Sequence, residues 1–257
     1  IHDAKSLPPM LTVKGERHTG TNFMQSLLEH HFPLHTRRIR PYMHAYAGCN
    51  TSLQPGAGQG YDRHLCCSKH GLPHVDCRLE PPPIFVLLLR NPYAWLSTVS
   101  LLPYTGCSAA IGWHNLSGWL RRPFASYGQC RRERVRPTPM AVWSEMALAY
   151  TRLSWRPAVL LCDHEMLSAP TLLGKLSEMR RLLGLPALAG GLHLPKQLPP
   201  VRQRLQPWTP QTYANEAAKL RRQPWRRRFT EADLAFVNSQ LSDEAMRGFE
   251  RVHSLAS

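Results

Sequence analysis

A single α/β domain, a three-layer sandwich around a central parallel sheet, is the fold class this sequence predicts. Three observations predict it. The run "IFVLLLR" (residues 84–90) is apolar without alternation, as a strand covered on both faces must be. Strand-like segments alternate with amphipathic helical ones, the order expected of parallel strands joined by crossover helices. The 257 residues are 43% hydrophobic, enough for one sizeable core, and neither an internal repeat nor a clean linker divides them.

The elements follow in order. Residues 10–14 ("MLTVK") read as a short buried strand, and residues 21–31 as a helix on which Phe23, Leu27 and Leu28 recur at helical spacing. From residue 35 the text turns irregular, and residues 35–60 are expected to form a surface excursion. A second short strand is expected within "HLCCSKHGLP" (residues 64–73). After Pro81-Pro82-Pro83 comes the 84–90 strand, and Pro92 opens a helix at the position where its missing N–H costs nothing. Residues 102–139, rich in Gly, Pro and Arg, predict a second surface excursion. Residues 138–155 form a helix with Val142, Met146, Ala149 and Leu153 on one face. "AVLLC" (158–162) is another buried strand, followed by a helix over 168–185 that Gly184 and Pro186 stop. Residues 187–209 are Pro-rich and extended. Helical stretches are expected at 212–222 and 231–252.

Composition narrows the function classes. The formal net charge is +15 and the isoelectric point near 10.0, so nucleic acid, anionic glycans and nucleotide phosphates are all attracted. Six of the 32 basic residues are lysine; the rest are arginine, which grips phosphate and sulfate bidentately. The arginine runs "RRERVR" and "RRQPWRRR" read first as a solvated basic face, without specific nucleic-acid binding. No apolar run approaches the ~18–20 residues of a membrane span. The chain opens on Ile1 rather than Met, which leaves room for an upstream signal peptide or membrane anchor. Seven cysteines cannot all pair within one chain. Acceptor sequons at Asn50 and Asn115 lean toward a glycoprotein of the secretory pathway, in the Golgi lumen, with the cytoplasm as the alternative. Cys66, Cys67, His70, His74 and Cys77 cluster, but their spacing is not that of a structural zinc site. No metal is expected.

The stretch "VKGERHTGTNFMQSLL" (residues 13–28) holds the chemistry. A strand that ends in a polar turn and restarts as a helix gathers backbone N–H groups at the positive end of the helix dipole, an anion site. Gly20 allows close approach, Thr21 and Asn22 stand at the helix start, and Arg17, His18 and Lys14 can face the same anion. The Gly-Lys-Ser/Thr ending of a phosphate-transferring kinase loop is missing. Farther on, Arg90 stands at the carboxyl end of its strand, where open α/β sheets bind ligands, with the hydroxyls of Ser97 and Thr98 two turns into the next helix.

In this combination the chain resembles the sulfotransferases that use 3′-phosphoadenosine 5′-phosphosulfate (PAPS), within the subset that has a "GERxSGTN" loop. The resemblance implies a P-loop nucleoside-triphosphate-hydrolase-like fold. It also implies that Arg17, His18, Thr19, Gly20, Thr21 and Asn22 hold the 5′-phosphosulfate. "R-N-P" at Arg90, with Thr98 eight residues on and Ser97 beside it, would hold the 3′-phosphate. "SKHGLP" resembles the segment that carries the catalytic base, which makes His70 the first choice, Lys69 its neighbour and Glu16 the alternative. "VLLCDHEML" and "PWRRRFT" resemble two further family segments, and together the matches span residues ~10–30, 64–100 and 140–255.

The departures are specific. His18 stands where many members have a lysine, leaving Lys14, Arg17 or Lys69 to supply its charge. The loop that closes over the cofactor is shortened to "KLRRQP", so Lys219, Arg221 and Arg222 are the candidate clamps. The implied activity is sulfuryl transfer from PAPS, an anionic nucleotide co-substrate, to a hydroxyl or amine acceptor, with a glycan favoured by the basic surface and the sequons. The alternative is a basic module with weak or no catalysis that binds nucleotide or polyanion through a degenerate loop.

Overall fold

The structure, a computed structural model, describes residues 11–15, 19–36, 84–101, 115–125, 135–152, 158–166, 168–188, 191–196 and 209–254. In chain order the elements are β1 (Leu11–Gly15), α1 (Thr21–His31), β2 (Ile84–Leu89), α2 (Pro92–Val99), α3 (Leu116–Leu120), β3 (Phe124–Ala125) and β4 (Val135–Arg136). There follow α4 (Pro139–Thr151), β5 (Ala158–Cys162), α5 (Asp163–Met166), α6 (Ala169–Leu182), α7 (Pro210–Arg222), a 3-10 turn (Pro224–Arg228), α8 (Glu231–Gln240) and α9 (Asp243–Ser254). The fold is α/β, a small parallel sheet among a majority of helices.

Three parallel strands pair in the order β1-β2-β5. Gly15 pairs with Leu88, and Leu89 with Cys162, so all three strands finish at one edge. The middle strand, β2, is buried along its whole length. Phe85, Leu87 and Leu89 join one apolar cluster, while Ile84, Val86 and Leu88 join another. Strand side chains alternate across a sheet, so both faces of β2 are apolar and both are covered. That is the physical content of its unbroken hydrophobic run.

Residues from α1 and α6, among them Met24, Leu27, Leu28, Leu172, Leu176 and Met179, pack with Ile84, Val86 and Leu88. The other face carries α2, α4, α8 and α9 through Trp95, Trp143, Met146, Val237 and Phe249. The sequence marks one face of α4, yet Met140, Trp143, Ser144, Ala147 and Tyr150 are buried as well. Nearly the whole circumference is enclosed because α2, α8, α9 and the β3–β4 ribbon all pack on it.

Side-chain caps set where these helices begin. Asn91 Oδ1 accepts from the N–H of Tyr93 and Ala94 at 3.1 and 3.2 Å. Thr138 Oγ1 accepts from Ala141 N–H at 3.3 Å, and Thr230 with Asp233 forms a reciprocal capping box. The single helix expected over 231–252 is two. Leu241 turns extended (ψ 137°) and is buried, and Ser242 Oγ receives Ala245 N–H at 3.3 Å to start α9. The break lets α8 and α9 each lay an apolar face on the core.

Within residues 102–139, α3 and the β3–β4 ribbon bury Leu120 and Phe124 in the core, Phe124 edge-on to Trp95 at 6.1 Å. The strand expected within 64–73 and most of the 35–60 stretch lie outside the described residues, as does Asn50. Asn115, of the second sequon, is exposed and caps α3 by accepting from Gly118 N–H at 2.9 Å. Among the described residues no helix is long and apolar enough to cross a membrane.

Candidate anion-binding site

β1 leaves the sheet at Gly15. A Cβ at this position would collide with Thr19 Oγ1 and lie 3.1 Å from Leu88 Cβ, so the chain can fold back beside its own strand end only with glycine there. Five residues later Gly20 takes φ 89°, a left-handed conformation that glycine adopts without strain, and serves as the N-cap of α1. It gives the first turn no side-chain acceptor. A helix start presents amide hydrogens and the positive end of the dipole. At α2 Asn91 already takes two of those amides; at α1 the N-cap is a glycine, which has no side chain to offer them. Thr19 and Thr21 are buried, Asn22 half-buried, and the thioether of Met166 from α5 lies against Gly20.

Lys14 is fully buried and pairs with Leu87 across the ladder, on the sheet face that Leu87 occupies. Burial lowers its ammonium pKa from 10.5 to about 7. Lys14 therefore lies inside the fold instead of reaching out of it, and a nearby bound anion would favour its charged form.

Arg90 follows β2 at the same edge. Its carbonyl accepts from Trp143 Nε1–H at 2.9 Å, which ties the strand end to α4. Its Nε lies 3.7 Å from Asp163 Oδ2 at the end of β5, with a quarter of the Arg90 side chain still exposed. One turn and more into α2, Ser97 is buried, and Arg228 from the 3-10 turn donates to both its carbonyl and its hydroxyl, the latter at 3.0 Å. Thr98 Oγ1 instead donates to Ala94 O at 2.8 Å, inside its own helix. Of the two hydroxyls named from the sequence, Ser97 is therefore the one that meets a cation.

The structure brings Lys14, Thr19, Gly20, Thr21, Asn22 and Arg90 to the carboxyl edge of the sheet. Ser97 and Thr98 follow on the helix that starts there. Glu16, Arg17, His18, Lys69 and His70 lie outside the described residues, as does the side chain of Lys219. Arg221 and Arg222 are exposed at the end of α7 and make no ion pair among the described residues.

Arg228 and Asp163 fall within "RRQPWRRR" and "VLLCDHEML", but the sequence reading names neither as a site residue. Arg228 is reached through aromatics: Trp225 stacks on Tyr93 (5.3 Å, 12°), and Phe229 meets both rings edge-on, which docks the turn on α2. The spacing Trp-x-x-x-Phe around three arginines is the signal that could have found it. Asp163 could have been read from its place at a strand's carboxyl end. Beside it, Glu165 is buried and accepts Cys162 N–H at 2.6 Å, and burial pushes the Cys162 thiol well above its usual range, leaving it inert.

Among the described residues no group of His, Cys, Asp and Glu is arranged to hold a metal ion. Comparison with protein-family models, with curated proteins and with solved structures finds no match for this chain.

Proposed function

We propose that this chain is a sulfotransferase of the P-loop type that takes PAPS as its sulfuryl donor. The observation that supports the reading best is the shared carboxyl edge. There a strand–turn–helix tightened by Gly15 and capped by Gly20 lies beside Arg90, one strand away, and Arg228 meets Ser97 on the adjoining helix. Two anion-binding stations so arranged suit a ligand with phosphate groups at two ends.

In this reading the loop amides and Arg17 hold the 5′-phosphosulfate, while Arg90 and Ser97, with Arg228 behind it, hold the 3′-phosphate. An acceptor oxygen or nitrogen forms a bond to sulfur as the bond from sulfur to the bridging phosphate oxygen breaks. The electron pair leaves with adenosine 3′,5′-bisphosphate, and the acceptor proton passes to a base, His70 first and Glu16 second. Lys14, one residue before Gly15, adds positive charge when it is protonated. The acceptor is a hydroxyl or amine, a glycan by preference.

A thermal shift titration tests this. Adenosine 3′,5′-bisphosphate should raise the melting temperature, ATP with magnesium much less, and Arg90→Ala should abolish the shift. Stabilisation by ATP with magnesium and none by the bisphosphate would overturn the reading. Sulfate transfer from labelled PAPS to a panel of acceptors then separates an enzyme from a binding module.

A further inference from the structure

The arginines of the described elements divide sharply. Arg90, Arg121, Arg136 and Arg152 face the carboxylates of Asp163, Asp233, Glu145 and Glu244, and Arg228 is held by Ser97. Arg180 donates to the Pro186 carbonyl, and Arg122 just past α3, Arg181 at the end of α6 and Arg247 and Arg251 on α9 are exposed. The exception is a cluster. Arg221, Arg222, Arg226 and Arg227 fall within seven residues of chain, all four exposed, and none has a carboxylate partner among the described residues. Like charges this close repel one another, which opposes the folded arrangement unless an anion joins it.

The frame beneath them is rigid. Gln223, between α7 and the 3-10 turn, holds φ 46°, the one non-glycine residue described with a left-handed backbone, a strain of about 1 kcal/mol. Immediately after it, Trp225 is stacked on Tyr93, and Arg228 is bonded to Ser97. Arg226 and Arg227 thus project from an anchored turn, and their presentation to a ligand costs little further entropy.

We propose that the segment from Arg221 to Arg227 is a docking surface for an acidic polysaccharide. Charge complementarity requires a polyanion, and guanidinium groups pair bidentately with sulfate and carboxylate. Single-stranded nucleic acid would need aromatic platforms for its bases. The aromatic residues here are committed: Trp225 is covered by Tyr93, and Phe229 is buried. The surface is also continuous in the chain with Arg228 and so with the Ser97 station. Its use in holding a polymeric acceptor rests on the sulfuryl-transfer reading; the binding itself does not.

The test uses the full chain with heparin, a single-stranded oligonucleotide of matched charge and neutral dextran as probes, titrated at several salt concentrations. Heparin should bind, and dextran should not. Arg226→Ser with Arg227→Ser should weaken heparin binding about tenfold, and replacement of all four arginines about a hundredfold or more. The salt dependence should flatten with each cation removed. The double variant should keep its melting temperature and its shift with adenosine 3′,5′-bisphosphate. Unchanged heparin affinity in the fourfold variant overturns the proposal, as does tighter binding of the oligonucleotide than of heparin at equal salt. Arginine-dependent heparin binding without a bisphosphate shift would leave the surface standing and remove the sulfotransferase reading instead.

Discussion

Replacing Lys14 with methionine offers a direct measure of what the fold gives up to bury an amine at the end of β1. Burial takes the ammonium from 10.5 to about 7. At roughly 1.36 kcal/mol per pH unit, this bounds the folding cost of that one group at about 5 kcal/mol. Polar contacts of the ammonium inside the fold offset part of that cost, so Lys14→Met, close in volume and apolar, should stabilise the protein by about 1–4 kcal/mol at pH 7.

The pH dependence identifies the source. Between pH 7 and 10.5 the unfolded chain holds the Lys14 proton that the folded chain has released. The wild-type protein therefore gains stability as pH rises through that interval, and the advantage of the variant should shrink toward zero near pH 10.5. Urea unfolding followed by tryptophan fluorescence, at pH 7 and pH 10 for both proteins, measures the difference. An advantage equal at both pH values, or a variant less stable at both, would refute the reasoning and mean that Lys14 is held as a charged, compensated group. The same variant should bind adenosine 3′,5′-bisphosphate more weakly, most clearly below pH 7, where the ammonium carries its charge.

Four further outcomes are expected. Gly15→Ala drives a methyl into Thr19 and Leu88 and should cost about 1–3 kcal/mol together with the bisphosphate shift. Gly184→Ala, with φ 69° but open space around it, should cost only about 1 kcal/mol and leave ligand binding intact. Burial first, then His30, His193 and Arg180, lowers the His31 pKa from 6.5 to about 4. Stability should therefore fall as pH drops from 6.5 toward 4, and His31→Leu should flatten that part of a melting-temperature profile. Asp233→Asn removes the ion pair with Arg121 and the carboxylate that receives Ser117 and Thr230, so unfolding by urea should become easier by about 2–3 kcal/mol.

Most of the helices and all three strands of the parallel sheet were legible because their signals are local. An unbroken apolar run, a proline at a helix start and a glycine at a helix end act within a few residues. The bend at Leu241 was not legible. Residues 231–252 keep helical spacing throughout, and the bend follows from the need to place two apolar faces on one core. For α4 the sequence marks one stripe, while packing by four neighbouring elements also buries Met140, Trp143, Ser144, Ala147 and Tyr150.

The candidate site divides along the same line. The sequence alone determined the glycine-containing turn after β1, its helix start, and an arginine at the carboxyl end of β2, since each is a property of one strand–helix junction. Only the tertiary structure decided that Lys14 is a buried, weakened base instead of an exposed clamp, because a strand residue's burial depends on what covers the sheet. It also decided that Ser97, not Thr98, receives an arginine, and that this arginine is Arg228, 131 residues away in sequence. Such pairings are made by packing between distant segments, here a Trp225–Tyr93 stack; the Trp-x-x-x-Phe spacing can mark Arg228 as a candidate, but not the serine it meets.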